Sequence, residues 1–420
     1  MVKNVKNLNK ILEEKVQDIP RLLLRRAIGN KVREQGIDDE KLIEAIVEHV
    51  LSGSEETFHY DDGTPDEQRN IKIEFTDADT QELEAKFKEF IDNKLPEVIQ
   101  GVVRDSSTSL SKALKKRWPE QKIEERNDMQ HFRDRIDLRW AKTLDPLRML
   151  LIASREVGQE FVEKLSKSRA KKGIVKREAL VALHMRACQT TMEILVLLEN
   201  GLADGAYARW RTLYELSVVA FVIDRFGDDV AERYLAHDVV SMRESIINEY
   251  RYDGLAYDPE SLTGEEKEIE EEFQFLISEF GKSFGGAYGW AANSLDKKAP
   301  RFQDLEAAID WNSLSPNYKW SSYKVHAGVA GTVRSLGSFR GQPILHAGAS
   351  NAGLETPAIN TAYSLMQITL LVFGKLTDLE NQIKLQSLVQ LREEVRSEGY
   401  KAARKLDKDE MEIRLGVSED

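Results

Sequence analysis

The chain has 420 residues, 41% of them hydrophobic and 31% charged, apolar enough for a packed core and too evenly mixed for wholesale disorder. At roughly 100–200 residues per domain, this length suggests two or three domains. A formal net charge of −12 repels nucleic acid on average, so binding a polynucleotide would need a local basic patch.

Ten prolines and 25 glycines are few for this length, which favours long helices over many short strands. The single cysteine, Cys188, excludes an internal disulfide and reads as a small buried thiol in a helical run. The first 20 residues, MVKNVKNLNKILEEKVQDIP, form a charged amphipathic stretch without the apolar core of a secretory leader. The most apolar segments, 213–223 and 368–373, fall short of the roughly 20 residues that span a bilayer. A cytoplasmic location without a membrane partner is expected.

Leu8, Ile11, Leu12, Val16 and Ile19, then Leu42, Ile43, Ile46, Val47 and Val50, repeat at helical spacing, so residues 5–52 predict two or three helices. The stretch 57–75 alternates as strands do around the turn formers AspAspGlyThrProAspGlu, which predicts a small β-hairpin. Thr76 or Asp77 can cap a helix running towards Val103. A shorter helix is expected over 106–118, then a long one over 120–167, interrupted near Pro146.

The centre of the chain carries two strongly apolar helices, 178–200 and 204–226, joined by AsnGlyLeuAlaAsp. Asn200–Gly201 is a stop signal and Asp204 a plausible N-cap, so the pair reads as an antiparallel hairpin. Helical patterning continues over 228–252 and 263–282. The glycine- and aromatic-rich loop 282–293 follows, suited to the wall of a pocket or to irregular packing. Helices are also expected over 315–336, 356–373 and 380–405. The whole predicts a mainly α, multi-helix bundle with a small N-terminal β-hairpin. Its expected division is an N-terminal module over 1–117, a main helical domain over 118–405 and a tail over 406–420.

Several chemistries lack their sequence signatures. A Walker-type glycine loop and an HExxH zinc helix are absent, and seven histidines with one cysteine show no close metal-ligand spacing. No metal or cofactor is expected. The GlyAlaSerAsnAlaGly run at 348–353 superficially matches a nucleophile elbow but has no strand before it.

In the stretch 207–215, YARWRTLYE, Arg211 and Glu215 stand four apart and share a helix face. Their neighbours are apolar almost all round, and a guanidinium taken from water requires a partner. Further on, Ser322 and His326 are four apart in SerSerTyrLysValHisAla. Polar residues on two apolar helices can converge into one site, or can simply fix helix register.

The run GlyLeuAlaAspGlyAlaTyrAlaArgTrpArgThrLeuTyrGlu with the later SerSerTyrLysValHisAla resembles a family of bacterial helical proteins classed as a domain of unknown function. The resemblance spans residues 145–375 and implies Arg211, Glu215, Ser322 and His326 as its motif residues. It also implies distant kinship with HEPN-type toxin and abortive-infection proteins. Those nucleases place Arg and His four to six residues apart on a helix, where arginine orients a phosphate and histidine moves a proton. Arg126–His131 fits that spacing best. Arg177–His184 and Arg340–His346 fit it less well, the latter holding Gly341 and Pro343.

Two functional readings follow. In the first, the chain is a toxin-like or phage-defence effector acting on RNA or a nucleotide. Arg211 would then hold a phosphate or carboxylate, Glu215 would orient it and His326 would carry the proton. Ser322, Arg126, His131 and His346 are secondary candidates. In the second, it is a non-enzymatic sensor or scaffold that binds a protein partner through the N-terminal module. A homo-oligomer is expected in either case. Solvent access separates the readings: a site opens into a cleft, whereas a structural network is closed and paired.

Overall fold

A computed structural model of the chain describes residues 10, 13, 16–53, 58–60, 72–167, 172–311, 314–338, 347–373 and 378–415. They divide into two compact units, Met1–Ile123 and Glu124–Asp420.

The N-terminal unit is built on α1 (Ile19–Glu34) and α2 (Glu40–Leu51). Their apolar residues close a small core of Ile28, Val32, Leu42, Ile43, Ile46 and Val47, against which Phe58, Ile73 and Phe75 pack. Asp39 starts α2 by accepting from the amides of Lys41 and Leu42, which occupies donors that a helix start leaves open. Thr76 caps α3 (Asp77–Glu89) in a reciprocal box with Asp79. The Asp79 carboxylate also receives Lys31 of α1 at 2.8 Å. That pairing, with the Thr76 amide and hydroxyl, holds the Asp79 carboxyl down at about 2.

The expected β-hairpin is not found. Residues 58–60 and 72–76 are coil, no strand occurs among the described residues, and 61–71 lie outside them. The alternating side chains pack instead onto the α1–α2 core: Phe58, Ile73 and Phe75 are its partly buried neighbours.

A five-residue π turn, Phe90–Lys94, leads into α4 (Leu95–Ser166). This single helix replaces the two expected over 106–167. Pro119 and Pro146 sit inside it, each removing one amide donor. Pro119 is exposed, where water can serve the freed carbonyl, and Pro146 is buried among Leu144, Leu147 and Leu150.

In the C-terminal unit, α5 (Ile174–Glu199) and α6 (Ala203–Phe226) form the expected hairpin. Its turn depends on Gly201, at φ +68°, where a Cβ would lie 2.6 Å from Phe132 Cε1 and 2.7 Å from the Ser350 carbonyl. Asp204 does not cap α6, as the sequence suggested. It lies in the first turn and its carboxylate faces another segment.

The expected helix over 228–252 is broken into α7 (Asp228–Ala236) and α8 (Asp238–Tyr252). Then follow α9 (Gly264–Phe280), α10 (Phe302–Ala308), α11 (Ser315–Val325) and the short α12 (Val329–Val333). The chain ends with α13 (Glu355–Leu370) and α14 (Leu379–Leu415). One apolar core runs through this unit, with Trp140, Leu147, Ile194, Trp210, Leu213, Val218 and Leu365 at 0% exposure. Helices α11 and α13 both pack on α6, and α14 packs on α13.

Candidate functional site

Helix α6 buries the face Tyr207, Trp210, Tyr214 and Ser217, three or four residues apart as a helical stripe requires. Arg211 and Glu215 stand at its edge, their side chains 27% and 33% exposed and their charged atoms 3.2 Å apart. Between them sits Tyr318 of α11, which the sequence motifs do not include. Arg211 Nη2 donates to the Tyr318 hydroxyl at 3.0 Å, and that hydroxyl donates to Glu215 Oε1 at 2.6 Å. The guanidinium also lies over the Tyr318 ring, 5.0 Å from its centre.

Burial, then the bond to Glu215, pushes the Tyr318 phenol above its ordinary value. It therefore stays protonated and serves as donor at neutral pH. Burial, then the charge of Glu215, raises the Tyr288 phenol as well. The aromatic floor continues through Tyr214, whose ring centre is 5.4 Å from that of Tyr318. Tyr214 in turn donates to the buried Glu306 at 2.7 Å. Burial followed by that bond raises the Tyr214 phenol.

The remaining candidates do not join this triangle. Ser322, one turn beyond Tyr318, is half-buried and donates to the Tyr318 carbonyl at 3.0 Å. His326 is not on the helix, because α11 ends at Val325 and residue 326 is already extended, at ψ 144°. It is exposed, on the order of 10 Å along the axis from Tyr318 at 1.5 Å per residue. Arg126 and His131 are exposed on α4, with no side-chain hydrogen bond or ion pair to a described residue. Arg177 bonds the carbonyls of Gly173 and Lys172 at 2.9 and 3.0 Å, while His184 is buried at 2% exposure. Arg340 and His346 lie outside the described residues.

Two further groups are accounted for by packing. The Asp204 carboxylate accepts from Ser335 Oγ at 2.6 Å and from the Leu336 amide at 3.0 Å. It also pairs at 3.0 Å with Lys324, whose side chain is only 6% exposed. Asp204→Ala removes the counter-charge of a nearly buried ammonium, and the expected cost is about 3 kcal/mol, measurable by urea unfolding. In the small-residue run, Ser350 is buried; its hydroxyl donates to the Gly337 carbonyl at 2.6 Å and accepts from the Ala352 amide at 3.2 Å. That hydroxyl staples a loop and is not presented as a nucleophile.

The glycine-rich loop after α9 lines an open hollow of about 420 Å³ with Phe273, Ile277, Lys282, Ser283, Gly285, Gly286 and Lys298. His237 pins the loop through Nε2, which lies 3.1 Å from the Phe284 carbonyl and 2.9 Å from that of Gly286. Burial lowers the His237 pKa, so the ring is neutral at pH 7 and donates from Nε2. Gly289 is required there, since a Cβ would meet the Phe284 carbonyl at 2.1 Å. Among the described residues, no group of three or more His, Cys, Asp or Glu is placed to hold a metal ion.

Helices α6 and α11, which carry the Arg211–Glu215–Tyr318 triangle, belong to one contiguous stretch of sequence. Residues 177–343 match a family of unknown function, DUF5677. Over that stretch the chain is similar to an uncharacterised family, and the described fold is mainly helical. The DUF5677 segment runs from the first turn of α5 past α12. It holds Arg211, Glu215, Ser322, His326 and Tyr318, whereas Arg126, His131 and His346 fall outside it. No curated protein and no solved structure matches the chain. One described helix, α5, is long and apolar enough to cross a membrane; half of its apolar window is buried in this fold.

Proposed function

We propose that the chain is a non-enzymatic sensor or scaffold, in which the Arg211–Glu215–Tyr318 triangle fixes α11 on α6 and the N-terminal unit meets a partner. The observation that carries this reading is the place of the Tyr318 hydroxyl. It accepts from the arginine and donates to the glutamate, so the two charges are paired within the triangle, although the buried Arg211 Nε has no hydrogen-bond partner among the described residues. His326, the expected proton carrier, stands exposed beyond the end of α11. The effector reading needs those two groups to meet one substrate.

The test combines unfolding with growth. Tyr318→Phe and Arg211→Ala are each expected to cost about 1–2 kcal/mol, the range for a hydrogen bond to a partly exposed charged group. Induced expression in bacteria is expected to leave growth unchanged. Growth arrest by the wild type that Arg211→Ala or His326→Ala abolishes, with thermal unfolding unaltered, would overturn the scaffold and restore the effector.

A further inference from the structure

The opening stretch of α4 is a helix that the N-terminal unit leaves uncovered. Over residues 98–118 every position is exposed except Ile99 and Gly101, which are half-buried. Val102, Val103, Leu110, Leu114 and Trp118 are 43, 62, 40, 36 and 49% exposed. At about 100° per residue these five fall in one sector roughly 160° wide. Arg104, Lys112, Lys115 and Lys116 fall in the opposite sector. The stretch has five basic residues against one acidic, a net charge of +4 within a chain of net −12.

We propose that this face docks on an anionic lipid surface. An apolar stripe sinks into the headgroup boundary, tryptophan suits the wet edge of that layer, and lysines on the far side meet acidic headgroups. Arg117, on the apolar side, reaches the same headgroups with its long stem. A second copy of the chain is a poorer occupant. A coiled-coil seam from Val103 continues through Ser107, Leu110, Leu114, Arg117 and Gln121, so polar residues interrupt it within two heptads. The expectation of no membrane partner came from the shortness of segments 213–223 and 368–373, which does not bear on docking at a surface. The inference deepens the scaffold reading and rests on it only in taking the N-terminal unit as the docking part.

The experiment is co-sedimentation of the full-length chain with vesicles of phosphatidylcholine alone or of equal parts phosphatidylcholine and phosphatidylglycerol. Binding to the anionic vesicles is expected to be at least about tenfold tighter and to weaken with added salt. The triple variant Lys112→Glu/Lys115→Glu/Lys116→Glu is expected to fall to the neutral-vesicle level, and Leu110→Ser/Leu114→Ser to lose about tenfold. Both change exposed positions, so unchanged circular dichroism is the folding control. Equal affinity for the two vesicles, or binding indifferent to the charge reversal, overturns the proposal. A chain that ignores vesicles but sediments as a dimer dissociated by Leu110→Ser/Leu114→Ser assigns the face to a second copy. None of these substitutions touches the Arg211 triangle, so failure here leaves the stability and growth test of the scaffold standing.

Discussion

Trp210→Ala is expected to destabilise the C-terminal unit by about 3–5 kcal/mol, the usual cost of deleting a large buried aromatic. The indole is fully buried in the middle of α6. Tyr207 stacks on one side and Tyr214 leans on the other, each with its ring centre 5.5 Å away. Two losses add. The first is apolar contact area, together with a cavity that the flanking rings cannot fill, because Tyr207 is tied to the Asn317 carbonyl at 2.9 Å and Tyr214 to Glu306. The second is the bond from Trp210 Nε1 to Ser364 Oγ at 3.1 Å, whose removal strands a buried hydroxyl on α13. Trp210→Phe keeps much of the volume and should cost roughly half as much. Urea unfolding followed by circular dichroism measures both. A loss below about 1 kcal/mol for the alanine variant would mean that α6 is not the centre of this core.

The same residues show what was legible in the sequence. Apolar residues at three- and four-residue spacing located α5 and α6, and Asn200–Gly201 located their turn, because helix burial and left-handed glycine leave strong local marks. Thr76 announced α3 for the same reason: a cap satisfies donors within its own turn. Over the described residues the expected strands are coil because Phe58, Ile73 and Phe75 alternate in sequence but are half-buried by a core formed elsewhere. Prolines 119 and 146 suggested breaks, yet a long helix absorbs the loss of one amide at each.

The candidate site was half legible. Arg211 and Glu215 are a local pair, readable from their spacing, but their third member comes from 103 residues beyond Glu215. Tyr318 had a signal of its own. Leu314, Tyr318 and Ser321 follow helical spacing, and a tyrosine half-buried on such a face needs a partner for its hydroxyl. His326 drew attention instead because a histidine suggests chemistry. The end of α11, one residue earlier, depends on backbone that the spacing argument assumed to be helical.

The pH dependence of stability should identify another buried group, His184. Its ring is 2% exposed and packs on Gly158 of α4, where a Cβ would lie 2.7 Å from His184 Cε1. The Thr369 hydroxyl donates to the Leu365 carbonyl at 2.7 Å, which leaves its oxygen to accept from His184 Nε2 at 3.2 Å. Neutral histidine meets that arrangement; the charged ring has no carboxylate among these contacts. Cys188, 3.8 Å from Nε2, offers no counter-charge, since burial pushes its thiol up to about 11.

Burial accordingly lowers the His184 pKa to about 4, against roughly 6.5 in the unfolded chain. Between those values the unfolded state binds the proton and the folded state does not, so stability falls as pH drops. The contribution is complete above about pH 6.5 and exhausted below about pH 4, and its full size is about 3 kcal/mol. Denaturant unfolding at pH 7 and pH 4.5 measures it. His184→Gln keeps an amide donor for Thr369 without a titrating ring, and should flatten that part of the profile. An unchanged slope in the glutamine variant would assign the acid sensitivity to the carboxylates of the ion pairs instead, and would mean that His184 is protonated as readily in the folded chain as in the unfolded one.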